Sequence, residues 1–467
     1  MAYSGKFQPF EDIIREMMVV YQHDERPWLI GYSGGKDSTL LVSLVYEAIK
    51  RLKGMNAKLN KKAYVITSDT MVENPIVKNY MHSSSKSINI AADKKHDDLP
   101  IEAHIIYPEP EQTFWSRIIG LGYPTPEPPG FRWCTDRLKI MPMNTFVNER
   151  IKQDGEIIIL LGVRKAESLT RLKTITAREI EGKLLNMHND IPNAYVYNPI
   201  TEVPNDLVWE FLLKDDCKSP WNTDMKYLFN LYQGESMGEE QSVLGEIDRD
   251  KIPVTGNSRF GCWCCTMVKE DKSLQNFIDH SNEDDARVLT ELRDFRNNLL
   301  EMRSDARFRD NKRRNGAVYK KADGSFGMGP FTLEARQLIL RGLLELENRT
   351  GLELITEIEL KAIDKMWDEE GDLSCRKLVD IYSDVKGKKL PWDEYKTPRF
   401  DNEAIEIIET IADSYDIPVE LITKLIVSVD TNKHLTRNNK MQKEFDRVIG
   451  QGWLHYNAVE GVLDNED

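Results

Sequence analysis

Short apolar runs alternate with helically spaced apolar positions over the N-terminal part of the chain. Runs of strand length cover residues 28–32, 63–70, 101–107 and 156–162, and apolar positions three and four apart mark a helix over residues 40–49. Strands that alternate with helices in this way are typical of doubly wound α/β proteins. We therefore predict a mostly parallel sheet covered by helices in this part of the chain.

The pattern becomes mainly helical from about residue 281. Residues 332–347 have the pattern of an amphipathic helix, with Thr332 as a candidate N-cap. Residues 403–412 and 419–429 predict further helices. A helix is also predicted near the N-terminus, over residues 7–21. These changes in pattern divide the chain into an α/β region, a cysteine-rich segment and a helical region, namely residues 1–215, 216–280 and 281–467.

The composition is that of an ordinary globular protein, with 40% hydrophobic and 30% charged residues among 467. This length suffices for two or three domains. We expect a cytoplasmic protein without membrane contact, because no apolar run approaches the ~20 residues of a membrane span and no apolar signal region follows Met1. The net charge of −14 argues against a generally basic DNA-coating protein, but it is compatible with a local basic groove.

Residues 33–38, of sequence Ser-Gly-Gly-Lys-Asp-Ser, lie between a predicted strand and a predicted helix. Backbone N–H groups at such a helix N-terminus, together with the helix dipole, attract anions. Gly34 and Gly35 allow a phosphate to approach the main chain, and Lys36 adds a positive charge. The spacing differs from that of the Walker A loop. The segment is therefore predicted to bind phosphate, and the alternative is an ordinary glycine turn before a helix.

Polar residues follow three of the predicted strands, at residues 33–38, 67–70 and 162–168. Ligands of doubly wound sheets bind in the crevice at the carboxyl ends of the strands. The three segments are therefore predicted to converge on one crevice.

Three of the six cysteines lie within four positions, with Cys262 and Cys265 spaced as C-x-x-C and Cys264 between them. This crowding favours metal or cluster ligation in a reducing compartment over a disulfide framework. Iron–sulfur clusters commonly take four thiolates, and zinc also binds four cysteines but usually through two C-x-x-C pairs. Because no second pair is present, the remaining ligand is expected from a distant position, with Cys134 the best candidate. A structural role is expected for Cys217 and Cys375.

Four segments together resemble one family of enzymes, namely residues 33–38, 131–139, 161–168 and 256–265. The first resembles the PP-loop of ATP pyrophosphatases, and the combination is similar to the PAPS reductase-like branch of these enzymes. Within that branch the chain resembles the DndC-like sulfurtransferases of bacterial DNA phosphorothioation. The similarity extends from about residue 10 to about residue 350.

This resemblance implies an adenine nucleotide alpha hydrolase-like fold, cleavage of ATP to AMP and pyrophosphate, and transfer of sulfur to a non-bridging position of the DNA backbone. The implied cofactors are a 4Fe–4S cluster, ATP and Mg²⁺. The implied partners are DNA, a cysteine desulfurase that donates sulfur, and other DNA phosphorothioation proteins.

The resemblance also implies roles for individual residues. Binding of ATP is expected to involve Ser33, Gly34, Gly35, Lys36, Asp37, Ser38, Thr67, Ser68, Asp69, Gly162 and Arg164. Catalytic roles are expected for Lys36, Asp37, Lys139 and Arg164, with Asp69 as a magnesium contact and Arg171 as a further cation. For Arg164 the alternative is a salt bridge with Glu167. The expected cluster ligands are Cys134, Cys262, Cys264 and Cys265, with Cys217 as a substitute.

A basic stretch between residues 303 and 321 is the candidate DNA contact. Two aromatic residues, Phe308 and Tyr319, are interleaved with its cations. Such a local excess of positive charge on an acidic protein suits a phosphate-tracking patch, and the alternative is a solvated helix face. The cations are Arg303, Arg307, Arg309, Lys312, Arg313, Arg314, Lys320 and Lys321.

Three other functions are compatible with parts of this pattern. A reductase of APS or PAPS resembles the chain through its PP-loop but attacks sulfur with a C-terminal cysteine, and no cysteine follows Cys375 in this sequence. A noncatalytic, nucleotide-sensing subunit of a defence complex would bind ATP without forming AMP. A tRNA-thiolating enzyme would show turnover stimulated by tRNA.

Overall fold

The computed structural model describes residues 5–128, 131–167, 183–233, 261–314, 316–318, 320–321, 324–370, 372–415, 417–432 and 439–450. Some positions named above lie outside these ranges, namely Ser168, Arg171, residues 256–260 and Tyr319. Within the described ranges, no helix is both long and apolar enough to cross a membrane.

A six-stranded sheet forms the centre of the α/β part. Its strands are β1 (Trp28–Gly31), β2 (Ala63–Ser68), β3 (Ile101–Ile106), β4 (Ile157–Leu160), β5 (Asn186–Met187) and β6 (Ala194–Tyr197). They are ordered β3-β2-β1-β4-β6-β5, and every pairing is parallel except that of β5 with β6. The predicted mostly parallel sheet is confirmed. Strands β5 and β6 were not predicted; β5 has only two residues, whereas β6 is as long as β1 and β4.

The direction in which the chain builds the sheet reverses beside β1. The first three strands proceed outwards to β3, and the chain then returns to add β4 on the other side of β1. Such a switch point opens a crevice at the carboxyl ends of the two central strands. The segments that follow β1 and β4 are residues 32–35 and 161–164, so the topology brings two of the predicted site segments together.

The sheet is buried on both faces, which explains the continuous apolar runs of its strands. Trp28 and Ile30 of β1 pack into the core on one face, and Leu29 packs into the core on the other. Helices in this part of the chain are α1 (Gln8–His23), α2 (Lys36–Gly54), α3 (Pro75–Ala92), α4 (Met141–Asp154), α5 (Asn205–Leu212), α6 (Met225–Gln233), α7 (Lys272–His280) and α8 (Glu283–Ser304).

The C-terminal region is helical, as predicted. Its helices are α9 (Leu333–Thr350), α10 (Glu357–Glu370), α11 (Lys377–Lys386), α12 (Asn402–Ser414), α13 (Val419–Asn432) and α14 (Asn439–Ile449). The hydroxyl of Thr332 accepts a hydrogen bond from the Ala335 N–H and caps α9, which confirms the predicted N-cap. The indole nitrogen of Trp367 in α10 donates to the carbonyl of Ile119 at 2.7 Å and links the two segments.

The chain divides into two compact units. The first contains Met1–Pro108, Trp133–Trp263 and Glu270–Thr290, and the second contains Glu109–Arg132, Cys264–Lys269 and Glu291–Asp467. These units are defined in space and each gathers separated parts of the chain. The three regions predicted from the sequence are continuous stretches of chain and are defined differently from these units. The predicted division into three regions stays a prediction.

Candidate functional site

The turn after β1 is held by its own serine side chains. The Ser33 N–H donates to the Ser38 hydroxyl oxygen at 3.2 Å, and the Ser38 hydroxyl donates to the carbonyl of Gly35 at 2.9 Å. Gly35 is the N-cap of α2, which begins at Lys36. The predicted order of strand, glycine turn and helix is therefore present, and α2 directs the N-terminal end of its dipole at the turn.

Both glycines of the turn are in positions where a side chain would collide with a neighbour. Gly34 has a φ of +73°, and a Cβ there would lie 2.8 Å from Cγ of Met81. A Cβ on Gly35 would lie 2.8 Å from the hydroxyl oxygen of Tyr232. The glycines are thus required by close packing of α3 and α6, in addition to any phosphate that approaches the main chain.

Lys36 is buried at the start of α2, where its ammonium lies over an aromatic ring. Its backbone N–H donates to the hydroxyl oxygen of Tyr232 at 3.1 Å, and its Nζ lies 5.1 Å from the centre of the Tyr232 ring. The same Nζ lies 3.9 Å from the carboxylate of Asp37. Tyr232 was not predicted as a site residue, because an amphipathic helix gives no signal for a contact with a distant loop.

The segment after β4 meets the start of α2, as predicted. A Cβ on Gly162 would lie 3.1 Å from the backbone oxygen of Asp37, so the two main chains are in close contact. Arg164 has no exposed side-chain surface. Its guanidinium donates to Asp37 Oδ1 at 2.7 Å, to the carbonyl of Val203 at 3.0 Å and to Asn205 Oδ1 at 2.6 Å.

This network assigns Arg164 a structural task, which is to hold the carboxylate of Asp37 at the first turn of α2. The sequence analysis expected a phosphate contact, or a salt bridge with Glu167, and did not anticipate Asp37 as a partner. Direct contact between Arg164 and a phosphate stays a prediction.

The end of β2 presents a row of polar side chains in which each member has a protein partner. The Thr67 and Ser85 hydroxyl oxygens are 3.3 Å apart, and Ser68 donates to the carbonyl of Leu138 at 3.1 Å. Asp69 is fully buried, and its two oxygens contact the Met71 N–H at 2.7 Å and His82 Nε2 at 2.8 Å. A magnesium contact through Asp69 stays a prediction, and His82 is a further polar residue of this strand end that the sequence analysis missed.

A second polar cluster, called the thiol site below, consists of Thr70, Glu73, Cys134, Lys139 and Cys262. The Thr70 hydroxyl donates to Glu73 Oε1 at 2.9 Å, and its oxygen lies 3.6 Å from the Cys262 sulfur. Lys139 Nζ lies 3.4 Å from Glu73 Oε1. The backbone of Cys262 pairs with that of Glu73 in an antiparallel bridge, which fixes the thiol beside the carboxylate.

The electrostatics of the thiol site keep Lys139 protonated. Burial lowers the pKa of Lys139, but the charges of Glu73, Cys262 and Cys134 outweigh it, and the net shift of this pKa is upward. The Cys262 thiol is placed beside the Glu73 carboxylate that Lys139 contacts. An adjacent ammonium stabilises a thiolate relative to a thiol. The site therefore suits sulfur in its nucleophilic or metal-binding form.

Lys139 lies in an unusual helical turn that follows closely after Cys134. Residues Asp136–Ile140 form a π-helical segment that runs directly into α4. Wide turns of this kind insert an extra residue into a helix and are frequent at functional sites. Cys134 was predicted from the cysteine pattern and Lys139 from the family resemblance, whereas Thr70 lies in the predicted segment of residues 67–70 and Glu73 lies just beyond it.

The expected set of four cluster ligands is only partly described by this geometry. Cys134 and Cys262 are both near Lys139, and Cys264 is fully buried. The carbonyl of Cys265 accepts a hydrogen bond from Arg296 Nε at 2.8 Å. In the described part of the chain, no three cysteine, histidine or acidic side chains form a group that could hold a metal ion. The ligand set stays a prediction.

Cys217, the substitute ligand, is buried, and its sulfur donates to the carbonyl of Leu213 at 3.1 Å. This is the contact of a structural cysteine within a helical connection. Its structural role was the expectation from the sequence, and the alternative role as a ligand stays untested.

The basic stretch of residues 303–321 is less exposed than its sequence suggests. Arg303 and Lys312 are buried. Arg303 donates to the carbonyl of Pro126 at 2.6 Å, and Lys312 pairs with Glu420 at 3.0 Å. Arg309 donates to the carbonyl of Gly329 at 2.8 Å. These three cations stabilise the fold, so a DNA contact made by this stretch would depend on its exposed members, which are Arg307, Arg313, Arg314, Lys320 and Lys321.

A parallel sheet with an anion-binding turn at its switch point defines a nucleotide-binding α/β protein. The family model of the phosphoadenosine phosphosulfate reductase domain matches residues 27–268, about half of the chain. The chain therefore belongs to the phosphoadenosine phosphosulfate reductase domain family. Members of this family are enzymes that act on nucleotides. The finer resemblance to DndC-like sulfurtransferases stays a prediction.

One curated relative is an uncharacterized protein of Methanocaldococcus jannaschii. It is 25% identical over 212 residues, which make up 43% of this chain and 34% of that protein. The chain thus matches about a third of the length of this relative.

Among solved structures, phosphoadenylyl-sulfate reductase from Candida auris matches part of the chain, at 11% identity and a TM-score of 0.29, covering 50% of this chain and 95% of that one. FMN adenylyltransferase from Candida glabrata matches at 13% identity and a TM-score of 0.30, covering 51% and 65%. The U34-tRNA thiolase of Methanococcus maripaludis, solved with its 4Fe–4S cluster, matches at 14% identity and a TM-score of 0.27, covering 49% and 73%. Similarities at this level assign neither a substrate nor a cofactor to the chain.

Proposed function

We propose that the chain is an ATP-consuming sulfurtransferase that adenylates a phosphate of the DNA backbone and replaces one of its oxygens by sulfur. The observation that carries this proposal is the placement of two sites on neighbouring strands. An anion-binding turn follows β1, and the thiol site follows β2, which is paired with β1 in parallel. ATP activation and sulfur chemistry thereby have candidate residues at the same edge of one sheet.

The proposed chemistry has two displacements. A non-bridging oxygen of the backbone phosphate attacks the α-phosphorus of ATP, and pyrophosphate leaves with the bonding electron pair. A sulfur nucleophile at the oxidation level of sulfide then attacks the backbone phosphorus. The bond to the AMP oxygen breaks, and AMP leaves with that electron pair. No net oxidation occurs in either displacement, and the sulfur is supplied by a cysteine desulfurase and a reductant of the thiol class.

The residues of the chain would act mainly by position and charge. The N–H groups of the turn and the Lys36 ammonium would neutralise the phosphates of ATP. Asp37 is fixed at the first turn of α2 by Arg164, and Asp69 is the carboxylate that would contact magnesium. Lys139 supplies the cation beside the two thiols. A 4Fe–4S cluster would be held by cysteine thiolates, and Cys134 and Cys262 would be two of its ligands.

The test measures AMP, pyrophosphate and sulfur incorporation in one reaction. Purified protein is incubated with ATP, Mg²⁺, cysteine desulfurase, cysteine, a thiol reductant and DNA, and the DNA is digested for mass spectrometry. Formation of AMP that depends on DNA, together with phosphorothioate dinucleotides, is the expected result. Lys36→Met serves as the matched variant and is expected to form AMP more slowly than the wild type. Stimulation by tRNA instead of DNA would assign the chain to tRNA thiolation, and ATP binding without AMP would assign it to nucleotide sensing.

Sulfonucleotide reduction is the second candidate, and membership of the phosphoadenosine phosphosulfate reductase domain family favours it. Cys375 is a poor nucleophile for such a reaction, because burial raises the pKa of its thiol and Asp368 raises it further. Its sulfur also donates to the carbonyl of Asp372 at 3.5 Å. Release of sulfite from APS or PAPS by the purified chain would support this candidate over sulfur transfer to DNA.

A further inference from the structure

The tyrosine at the end of α6 contacts the anion-binding turn in two ways. The Tyr232 hydroxyl oxygen accepts the hydrogen bond of the Lys36 N–H at 3.1 Å, across 196 residues of sequence. Its ring lies 5.1 Å below the Lys36 ammonium, a distance at which cation–π attraction operates. One side chain thus contacts both ends of the lysine that is expected to bind the phosphates.

The position of this tyrosine is well determined by packing. Tyr232 is buried, and its ring meets the ring of Trp209 nearly at right angles, with centroids 5.1 Å apart. Trp209 is itself a core residue of α5 and packs edge-on against Phe229. A hydroxyl on such a ring has little freedom to move, so it holds its partner in one place.

The hydrogen bond from Lys36 to Tyr232 supplies an acceptor at the N-terminus of α2, where the N-cap residue provides none. The first N–H groups of a helix have no partner within the helix, and an N-cap side chain usually satisfies one of them. Here the N-cap is Gly35, which makes no side-chain hydrogen bond. The hydroxyl of Tyr232 takes that place, and it does so from a position 2.8 Å from where a Cβ of Gly35 would lie.

We propose that Tyr232 is a positioning residue for Lys36, and that its hydroxyl and ring together set the main chain and the ammonium of Lys36 for contact with the phosphates of ATP. This inference rests on the proposed function, because it concerns the same phosphate site. It differs from a purely structural role in one respect. The hydroxyl binds the backbone N–H at the residue from which the lysine side chain extends, so its effect on catalysis is expected to be larger when the lysine ammonium is present.

A double-mutant cycle tests this dependence. The full chain is assayed for AMP formation as wild type, Tyr232→Phe, Lys36→Met and the double variant. Phenylalanine retains the buried ring and removes only the hydroxyl. Loss of one hydrogen bond to the main chain is expected to lower kcat/KM about threefold to tenfold in the presence of Lys36. In the Lys36→Met background the same change is expected to have an effect smaller than about twofold, because the ammonium that it positions is absent.

The control is Tyr395→Phe, which removes the hydroxyl of a tyrosine that is 82% exposed and should leave kcat/KM unchanged. Equal effects of Tyr232→Phe in both backgrounds would overturn the proposal, since they would indicate a structural role independent of Lys36. Tighter ATP binding by Tyr232→Phe would also overturn it, because the hydroxyl would then compete with phosphate for the N–H. A wild-type protein that neither binds ATP nor forms AMP overturns the proposed function and this inference together, whereas wild-type turnover matched by Tyr232→Phe overturns the Tyr232 assignment alone.

Discussion

Replacing Arg164 by methionine is expected to destabilise the α/β unit strongly. The guanidinium is 0% exposed and is the cation paired with Asp37, whose side chain is only 14% exposed. The change removes three hydrogen-bond donors at once, since Arg164 also donates to Val203 and Asn205. Methionine fills a similar length of space, so the loss of charge and of donors dominates over the loss of volume.

The expected loss of unfolding free energy depends mainly on the largely buried Asp37 carboxylate, which loses its arginine partner. Removing one partner of a buried ion pair leaves an uncompensated charge in the protein and typically costs about 3–5 kcal/mol. The neighbouring Lys165 offers a matched control, because it pairs with Glu202, whose side chain is 75% exposed. Surface pairs of that kind contribute about 0–1 kcal/mol. The free energy of unfolding should therefore fall by several kcal/mol more for Arg164→Met than for Lys165→Met.

The assay is denaturant unfolding followed by tryptophan fluorescence, with both variants and the wild type at one pH. A third variant, Arg164→Met combined with Asp37→Asn, should recover part of the lost stability, because the largely buried Asp37 carboxylate is then no longer left without its arginine. Unfolding midpoints of Arg164→Met and Lys165→Met that agree within experimental scatter would refute the reasoning. Arg164 would then be exposed to solvent in the folded protein and available to a ligand.

Further predictions concern the turn, the cysteines and the pH dependence of stability. Gly35→Ala should weaken ATP binding at least about tenfold, measured by calorimetry, because its Cβ would lie 2.8 Å from a buried tyrosine hydroxyl. Protein purified without oxygen should contain about four irons and four sulfides per chain, and Cys262→Ser should lower both while Cys375→Ser leaves them unchanged; one zinc and no iron would contradict the predicted cluster. Burial raises the pKa of Asp368 to about 6 despite its contact with Lys396, so the stability gained from its protonated form is present at low pH and declines as pH rises from about 4 to about 6. Asp368→Asn should flatten that decline, by about 1–3 kcal/mol in unfolding experiments over this range, and an unchanged pH profile would show that Asp368 titrates normally.

The parts of the fold that could be predicted from sequence are those with local causes. The segment of residues 33–38 is recognisable because a strand, a glycine pair and a helix follow one another without interruption. Its helix was predicted correctly from apolar spacing, and Leu40, Leu44 and Ile49 are fully buried. The meeting of this segment with Gly162 could also be predicted, because a general rule of parallel sheets places the carboxyl ends of strands together.

The side-chain partnerships could not be predicted in the same way. Arg164 binds Asp37 and Lys36 contacts Tyr232, and in both cases the partners are brought together only by the sheet order and the helix packing. A buried cation binds whichever acceptors surround it, and the sequence near Arg164 contains no sign of Asp37. The resemblance to a family identified Lys36, Asp37 and Arg164, but neither Tyr232 nor the contacts that each of these residues makes.

The basic stretch of residues 303–321 illustrates the difference between a charged sequence and a charged surface. A run of cations suggests a phosphate-tracking patch only if its side chains point to solvent. Arg303 and Lys312 are buried and bind protein groups instead, while Arg307 is exposed but paired with Asp305 at 2.6 Å. Because each phosphate contact contributes separately to the salt dependence of binding, a patch reduced in this way would give weak and only moderately salt-dependent affinity for DNA. Specific recognition of DNA by the proposed enzyme would then have to come from other surfaces of the chain or from a partner protein.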